Sequence, residues 1–544
     1  MSGKKQDSGE TRYTLSGIPV KPFYTPEDIK DLDYERDLGN PGQYPLTRCL
    51  YPLGYRRYTW QQQNIMGFDL AEDTNRRQKL IMEAGATSYG GKVGMNIAFD
   101  NPTVNGYDSD DPRSQYEVGK GGVAIDSLKD IERLFDGLPL DNMNVGFIID
   151  TPGPIILAMY VALADAQGIA RGKLSGVVRN NPLARWMFSK TVIFPLRQSL
   201  RAMVDCIKFC VQEVPNMNAF TIDGYDLREA GVNAVQEIAF PMAKAIEVTR
   251  ACIEAGLSAD DVLPRFAWFL SANNYFFEEI AKIRAGRRIW AKIMQERFGA
   301  QKKGALQMKI HMQTGGSTLT AQEPLNNVAR VAIQSLAGVL SGVQSLSTDS
   351  YDEAISVPTE EAVRVAIKTQ KIIEHETGVV DVVDPLAGSY YLESLTNEME
   401  RRMMEYIDKI EGMGGFITAM ENGYLEQEIS NAAFKYQKEF EEGKRIIVGV
   451  NKYVEGKYIE VPAFDYNPEV ERVAKERLSQ LRKERDNQAV KESLDKIRKA
   501  ALDGGDLMPR YIEAVKVYAT VGEIMETLKG VWGVYSSEPV LANI

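Results

Sequence analysis

Histidine is almost absent from this chain: His311 and His375 are the only two among 544 residues. That scarcity excludes a zinc site built from two or three imidazoles with a pair on one helix. Cysteine is nearly as rare, and four thiols (Cys49, Cys206, Cys210, Cys252) in so long a chain make no disulfide framework. Cys206 and Cys210 stand four residues apart, but no third ligand lies near them, so helical core packing is the reading adopted and no metal site is expected. Positive charge is also short. Against 75 Asp and Glu there are 64 Lys and Arg, a net charge of −11, which argues against a nucleic-acid partner. No apolar run is long enough to span a bilayer, and the opening MSGKKQDSGE has no hydrophobic signal core. The expectation is a cytoplasmic protein with no membrane contact. A Walker loop, a nucleophile elbow and a strand-embedded GxGxxG are missing too, so a cofactor is expected to carry the chemistry.

What the chain does have is a rhythm. Residues 1–60 are rich in turn formers (GNPGQYPLTRCLYPLGY) and read as an extended arm. From residue 93 onward, short apolar runs recur: VGMNIAFD (93–100), NVGFIID (144–150), LSGVVRN (174–180), NAFTID (218–223), LPRFAWFL (263–270), LQMKIHMQ (306–313), GVQSLS (342–347) and GVVDVVD (378–384). Amphipathic segments such as EEAVRVAIKTQKIIEHETG separate them. Buried runs alternating with helical patterns predict βα repeats and a parallel sheet, and about eight repeats predict a (β/α)₈ TIM barrel spanning residues 61–400. Residues 401–544 predict a helical C-terminal region, in which 468–505 reads as a solvated arm or linker. In such a barrel the reactive groups sit where strands end. Those positions hold Asp100, Asp150, Arg179, Asp223 to Asp226, Trp268, His311 with Gln313, and Ser345.

Several longer motifs occur in order: FDNPTVNGYDSDDP (99–112), VGKGGVAIDS (118–127), HMQTGGSTLTAQEPLNNVAR (311–330), QSLSTDSYDEAISVPTE (344–360), DPLAGSYYLE (384–393), GVNKY (449–453) and TVGEI (520–524). With these the chain resembles the catalytic chain of the methylmalonyl-CoA mutase family, the adenosylcobalamin-dependent acyl-CoA mutases, from about residue 40 to 535. The resemblance implies a radical 1,2-migration of an acyl-thioester group, with the CoA arm in the barrel axis and adenosylcobalamin over its C-terminal mouth. The family's cobalt-binding Asp-x-His-x-x-Gly surrounds neither His311 nor His375. The resemblance therefore implies a separate small cobalamin-binding subunit and a heterodimer or heterotetramer.

Carried over by residue, the resemblance assigns His311, Gln313 and Glu353 to the adenosyl ribose and the positioning of the radical. It gives Gln344, Ser345 and Arg265 to CoA or substrate, and it retains Tyr225. The departures are equally specific. Asp226 stands where the family has a histidine that donates to the thioester carbonyl. Ser189 replaces the arginine that grips a free carboxylate, Ile65 a tyrosine beside the substrate, and Arg179 a substrate-side glutamine. Near Tyr58 and Gln61 an arginine and a threonine for CoA are missing. These changes predict a bulkier acyl group, such as an aryl- or alkyl-substituted malonyl- or succinyl-CoA, with carboxylate recognition moved to Arg179. Asp226 is expected to accept from the substrate, to pair with Arg179, or to stay protonated by burial. The other readings are a non-catalytic paralogue acting as scaffold or regulatory subunit, against which retention of His311, Gln313 and Glu353 argues, and a methylmalonyl- or 2-hydroxyisobutyryl-CoA mutase with an atypical pocket.

Overall fold

The computed structural model describes residues 11–63, 65–83, 92–184, 193–356, 358–456 and 467–535. A short antiparallel hairpin, β1 (Arg12–Tyr13) with β2 (Pro19–Val20), opens it. The remaining strands are β3 (Gln61–Gln62), β4 (Ile65–Met66), β5 (Val93–Ala98), β6 (Met143–Ile148), β7 (Ser175–Val178), β8 (Asn216–Asn218), β9 (Phe220–Asp223), β10 (Phe266–Ala272), β11 (Ile310–Thr314) and β12 (Ser345–Ser347). They form two five-stranded sheets, ordered β4-β5-β6-β7-β8 and β3-β12-β11-β10-β9, and every pairing in them is parallel. The fold is thus mixed α/β with parallel sheets, as the alternation of runs requires.

Seven of the eight apolar runs contain or overlap a strand. The eighth, 378–384, does not: it is a series of turns, and Asp384 has a left-handed backbone with φ 50°. The edge of β12 that it was expected to occupy is taken by β3. Val383 instead packs on Gly54, and Asp384 is held by Arg284 and Arg48. The β3–β4 segment escapes a search for apolar runs because it is short and Gln61, Gln63 and Ile65 line the cavity instead of a hydrophobic core.

Helix Phe276–Glu296 ties these parts together. Its face against the protein carries buried Lys282, Arg284, Arg287 and Arg288. Arg284 pairs with Glu393 (2.6 Å) and Arg288 with Glu400 (2.6 Å), both on helix Tyr390–Gly412, which runs through residue 400. Arg287 has no carboxylate partner among the described residues. It donates to the carbonyls of Leu46, Thr47, Arg48 and Ser341, and so pins the N-terminal segment to the strand layer. Burial pulls its guanidinium down to about 10.

The expected solvated arm is a packed element. Helices Val470–Glu484 and Asn487–Asp503 bury Val470, Ala474, Leu478, Val490, Ile497 and Ala501, an apolar stripe at helical spacing. The second of them packs on helices Met508–Lys516 and Val521–Trp532, and the former of that pair rests on helix Gly153–Ala166. Ion pairs Arg485–Glu523 and Arg482–Asp108 (2.7 Å) close the seam. Dense surface charge concealed that stripe. Among the described residues no helix is long and apolar enough to cross a membrane.

Replacing Arg287 with Met leaves four buried carbonyls short of a donor. At roughly 1–3 kcal/mol for each unsatisfied group, partly relieved by relaxation, the loss of stability should be about 3 kcal/mol or more. Urea midpoints of R287M and of an exposed control, K30A, check this: the first falls clearly and the second stays near wild type.

Candidate active site

A cavity of about 1320 Å³ runs between the two ends of the strands. Lys92, Asn144, Ser175, Asn216 and Lys309 line it at the strand starts, and Arg179, Tyr225, Asp226, Gln313 and Glu353 at the strand ends. It exceeds the few hundred to a thousand Å³ of a drug-sized pocket and suits a long ligand.

Parallel register places the ends of β6 and β7 side by side, β9 of the other sheet meets them through Thr221 N–H donating to Arg179 O, and each delivers a charged residue. Asp150 follows β6, Arg179 follows β7 and Asp223 ends β9. Asp226 comes one turn later, at the start of the short helix Tyr225–Glu229. Arg179 Nη2 donates to both Asp223 Oδ2 and Asp226 Oδ2, and its Nε lies 3.2 Å from Asp150 Oδ1. The Asp226 N–H donates to Asp223 Oδ1 at 3.2 Å. Behind the cluster, buried Lys244 on helix Ala234–Glu254 donates to Asn181 Oδ1 at 3.0 Å. Burial first, and then the adjacent Asp223 carboxylate, push Asp226 up to about 7 against the pull of Arg179. Burial brings the Lys244 amine down to about 8. Of the outcomes expected for Asp226, pairing with Arg179 is the one observed.

A second group of residues faces the same end. Tyr225 stacks on Phe269 (4.7 Å, 11°), and Phe269 lies 5.2 Å from the His311 ring. His311 Nδ1 is 2.9 Å from Ser345 Oγ, and burial lowers its pKa to about 4, so the imidazole is neutral near pH 7. Gln313 Nε2 donates to Asp349 Oδ1 at 2.8 Å. The other oxygen of Asp349 is buried with no hydrogen-bond partner. Glu353 stands at the rim, where the surrounding protein and then the Asp352 and Glu229 carboxylates raise it to about 7.

Of the residues singled out from sequence, Ile65, Arg179, Tyr225, Asp226, His311, Gln313, Gln344, Ser345 and Glu353 all line this one cavity. Gln344 spends its side chain on backbone, accepting from Ile310 N–H and donating to Gly342 O. Arg265 is not among the lining residues: it precedes β10 in a 3-10 turn, and Lys309, bonded to Asn218 Oδ1 at 3.1 Å, lines the wall nearby. Ser189 lies outside the described residues. Asp100 is no part of the polar ring expected at the strand ends. It caps helix Asn101–Val104 and accepts from Thr103 and Gly119 N–H. Trp268 packs edge-on against Trp290. Asp349, Lys244 and Phe269 were missed, although Asp349 lies within the STDSYDEAI motif and a carboxylate there was a legible signal.

Because Asp226 is protonated more readily in the folded chain than in the unfolded one, it lowers stability as pH rises from about 4 to about 7. D226N removes that contribution. Urea midpoints at pH 5 and pH 8 should show a smaller loss at high pH for D226N than for wild type. Equal losses would mean that Asp226 titrates normally.

The sequence profile of the family described as methylmalonyl-CoA mutase matches residues 13–534. The chain is 41% identical over 541 residues to the 2-hydroxyisobutanoyl-CoA mutase large subunit of Aquincola tertiaricarbonis, covering 99% of this chain and 95% of that one. It is 39% identical to the methylmalonyl-CoA mutase of Rhizobium meliloti, covering 97% of this chain and 73% of the relative. The mitochondrial methylmalonyl-CoA mutase of Homo sapiens is 37% identical, with coverage of 96% and 68%. All three are named mutases, a class of isomerase. Matched along nearly its whole length, with the expected residues gathered around one cavity, the chain is an enzyme of the methylmalonyl-CoA mutase family.

Proposed function

We infer that this chain is the large subunit of an adenosylcobalamin-dependent acyl-CoA mutase that works on a neutral, branched acyl group. The observation that carries the choice of substrate is the engagement of Arg179 by three carboxylates, Asp150, Asp223 and Asp226. An arginine so surrounded does not attract an anion. That speaks against the relocated carboxylate recognition expected from sequence, and with it against malonyl and succinyl groups. Ile65 is smaller than a tyrosine and 43% exposed on the cavity wall, which leaves room for branching or bulk.

The two sheets are best understood as halves of one closed eight-stranded (β/α)₈ barrel. In support, β3 and β4 are separated by two residues and β8 and β9 by Ala219 alone, so the end segments of the sheets continue into one another. One hydrogen bond crosses from sheet to sheet, from Thr221 N–H on β9 to Arg179 O after β7 (2.9 Å), while Gln63 and Ala219, between the strand segments, bond on to Leu346 O (3.1 Å) and Arg265 O (2.9 Å). On this reading residues 61–400 carry the acyl-CoA and adenosyl site, residues 1–60 wrap it and residues 401–544 cover its flank.

The residues at the strand ends fit an adenosyl group. Gln313 and Glu353 line the cavity with an amide and a carboxyl, which suit ribose hydroxyls that both donate and accept, and Asp349 behind them holds the Gln313 amide. When bound, adenosylcobalamin supplies the hydrogen-abstracting radical chemistry characteristic of the family. The stacked Tyr225, Phe269 and His311 rings wall the reacting space and keep water from it. His311 stays neutral and hydrogen-bonded to Ser345, which keeps its orientation fixed. The cobalt ligand comes from a small cobalamin-binding subunit, in keeping with a relative named a large subunit and matched over 95% of its length.

The test combines this chain, a small subunit carrying Asp-x-His-x-x-Gly, adenosylcobalamin and a panel of acyl-CoAs, followed by mass spectrometry. Isomers should form from neutral branched acyl-CoAs, and methylmalonyl-CoA should turn over at least tenfold more slowly. No turnover of any panel member, together with no cobalamin bound by the pair, would favour the scaffold reading.

A further inference from the structure

We propose that Arg179, held charged by Asp150, Asp223 and Asp226, is the hydrogen-bond donor to the thioester carbonyl of the substrate. The inference rests on the acyl-CoA mutase reading and goes beyond it by naming the group that meets the migrating carbonyl.

Three observations lead there. First, the guanidinium is only partly used. Both bonds to carboxylates leave from Nη2, and the Nε side faces Asp150. Nη1 makes no hydrogen bond among the described residues and is not among the buried, unsatisfied atoms. It is therefore open to the cavity that Arg179 lines. Second, the other donors at this end are uncharged: His311 is neutral with Nδ1 on Ser345, and the Gln313 and Asn96 amides each already give one N–H, to Asp349 and Gln63. The Tyr225 hydroxyl points to Thr314 O at 3.5 Å. Third, Asp226 is an unsuitable donor. Its Oδ2 accepts from Arg179, and the neighbouring Asp223 carboxylate competes for any proton it carries.

The chemistry suits a guanidinium. Radical migration of an acyl-thioester group weakens the C=O bond and develops radical character on its oxygen without net charge, and a fixed donor in a dry site polarises that carbonyl without reorganising. A carboxylate ligand would meet the Asp150, Asp223 and Asp226 charges and be repelled, whereas a neutral carbonyl meets only the N–H. Arg179 remains a cation throughout, and no proton is transferred. Other titratable groups near the cluster are Lys244 on the helix behind it and Glu229 on the helix of Asp226. Neither lines the cavity, so neither substitutes for Arg179.

Isotope-edited infrared spectroscopy reads the contact directly. Isobutyryl-CoA labelled with ¹³C at the carbonyl is bound to the full chain with its small subunit, and its carbonyl stretch is compared with that in buffer. The stretch should fall on binding to wild type and fall less in R179K, which keeps the charge for the three carboxylates but loses the planar fork. Calorimetry on wild type adds a test that needs no variant: isobutyryl-CoA should bind about tenfold more tightly than its thioether, in which CH₂ replaces the carbonyl. An unshifted stretch, the same shift in R179K, or equal affinity for thioester and thioether would each overturn the assignment while leaving the mutase reading intact. Failure to bind either CoA compound would overturn both.

Discussion

One guanidinium set among three carboxylates governs the chemistry of this cavity. Arg179 is nearly buried, and each of its partners arrives from a different place: Asp150 after β6, Asp223 at the end of β9, Asp226 on the helix that follows. The register of three parallel strands must be right for the cluster to exist, so the site reports on the fold and the fold is in turn tied at the site. Coulomb attraction among buried groups holds the arginine charged, and burial, reinforced by the adjacent Asp223 carboxylate, leaves Asp226 near the point of protonation. A site of this kind presents donors to neutral groups and turns anions away.

The walls depend on a second use of buried positive charge. Helix Phe276–Glu296 sends Arg287 to the carbonyls of residues 46–48, and Arg284 to Asp384 and Glu393. Residues within 48–59 and 379–385 line the cavity, and neither stretch holds a strand or an α-helix. Their position comes from these arginines. Multidentate planar donors suit that task, since one side chain satisfies several backbone carbonyls that no strand or helix partner would otherwise meet.

The apolar β strands were legible in the sequence because a core-facing strand must be apolar on at least one face. Val93–Ala98, Met143–Ile148 and Phe220–Asp223 bury side chains completely and announce themselves. The first strand segment did not, because it is short and Gln61, Gln63 and Ile65 line the cavity. The converse error arose at 378–384, where Val383 packs on Gly54, Val379 and Val380 rest on the core and Val382 is exposed, with no strand formed. At the site, single residue types were readable, but the partnerships among them were not. Arg179 looked like a relocated carboxylate receptor until its three counter-charges, spread over 76 residues between Asp150 and Asp226, were seen together. Lys244 escaped notice because nothing local marks a lysine in an apolar helix, whereas Asp349 was legible within its motif and was passed over as one acid among several.

The most direct test of the account is a crystal structure of the chain with its small subunit and a non-reacting neutral acyl-CoA. The carbonyl oxygen of the thioester is predicted to lie about 3 Å from Arg179 Nη1, with the acyl branch against Ile65 and Tyr225. A carbonyl bonded elsewhere, or a ligand carboxylate seated on Arg179 with Asp226 displaced, would contradict it.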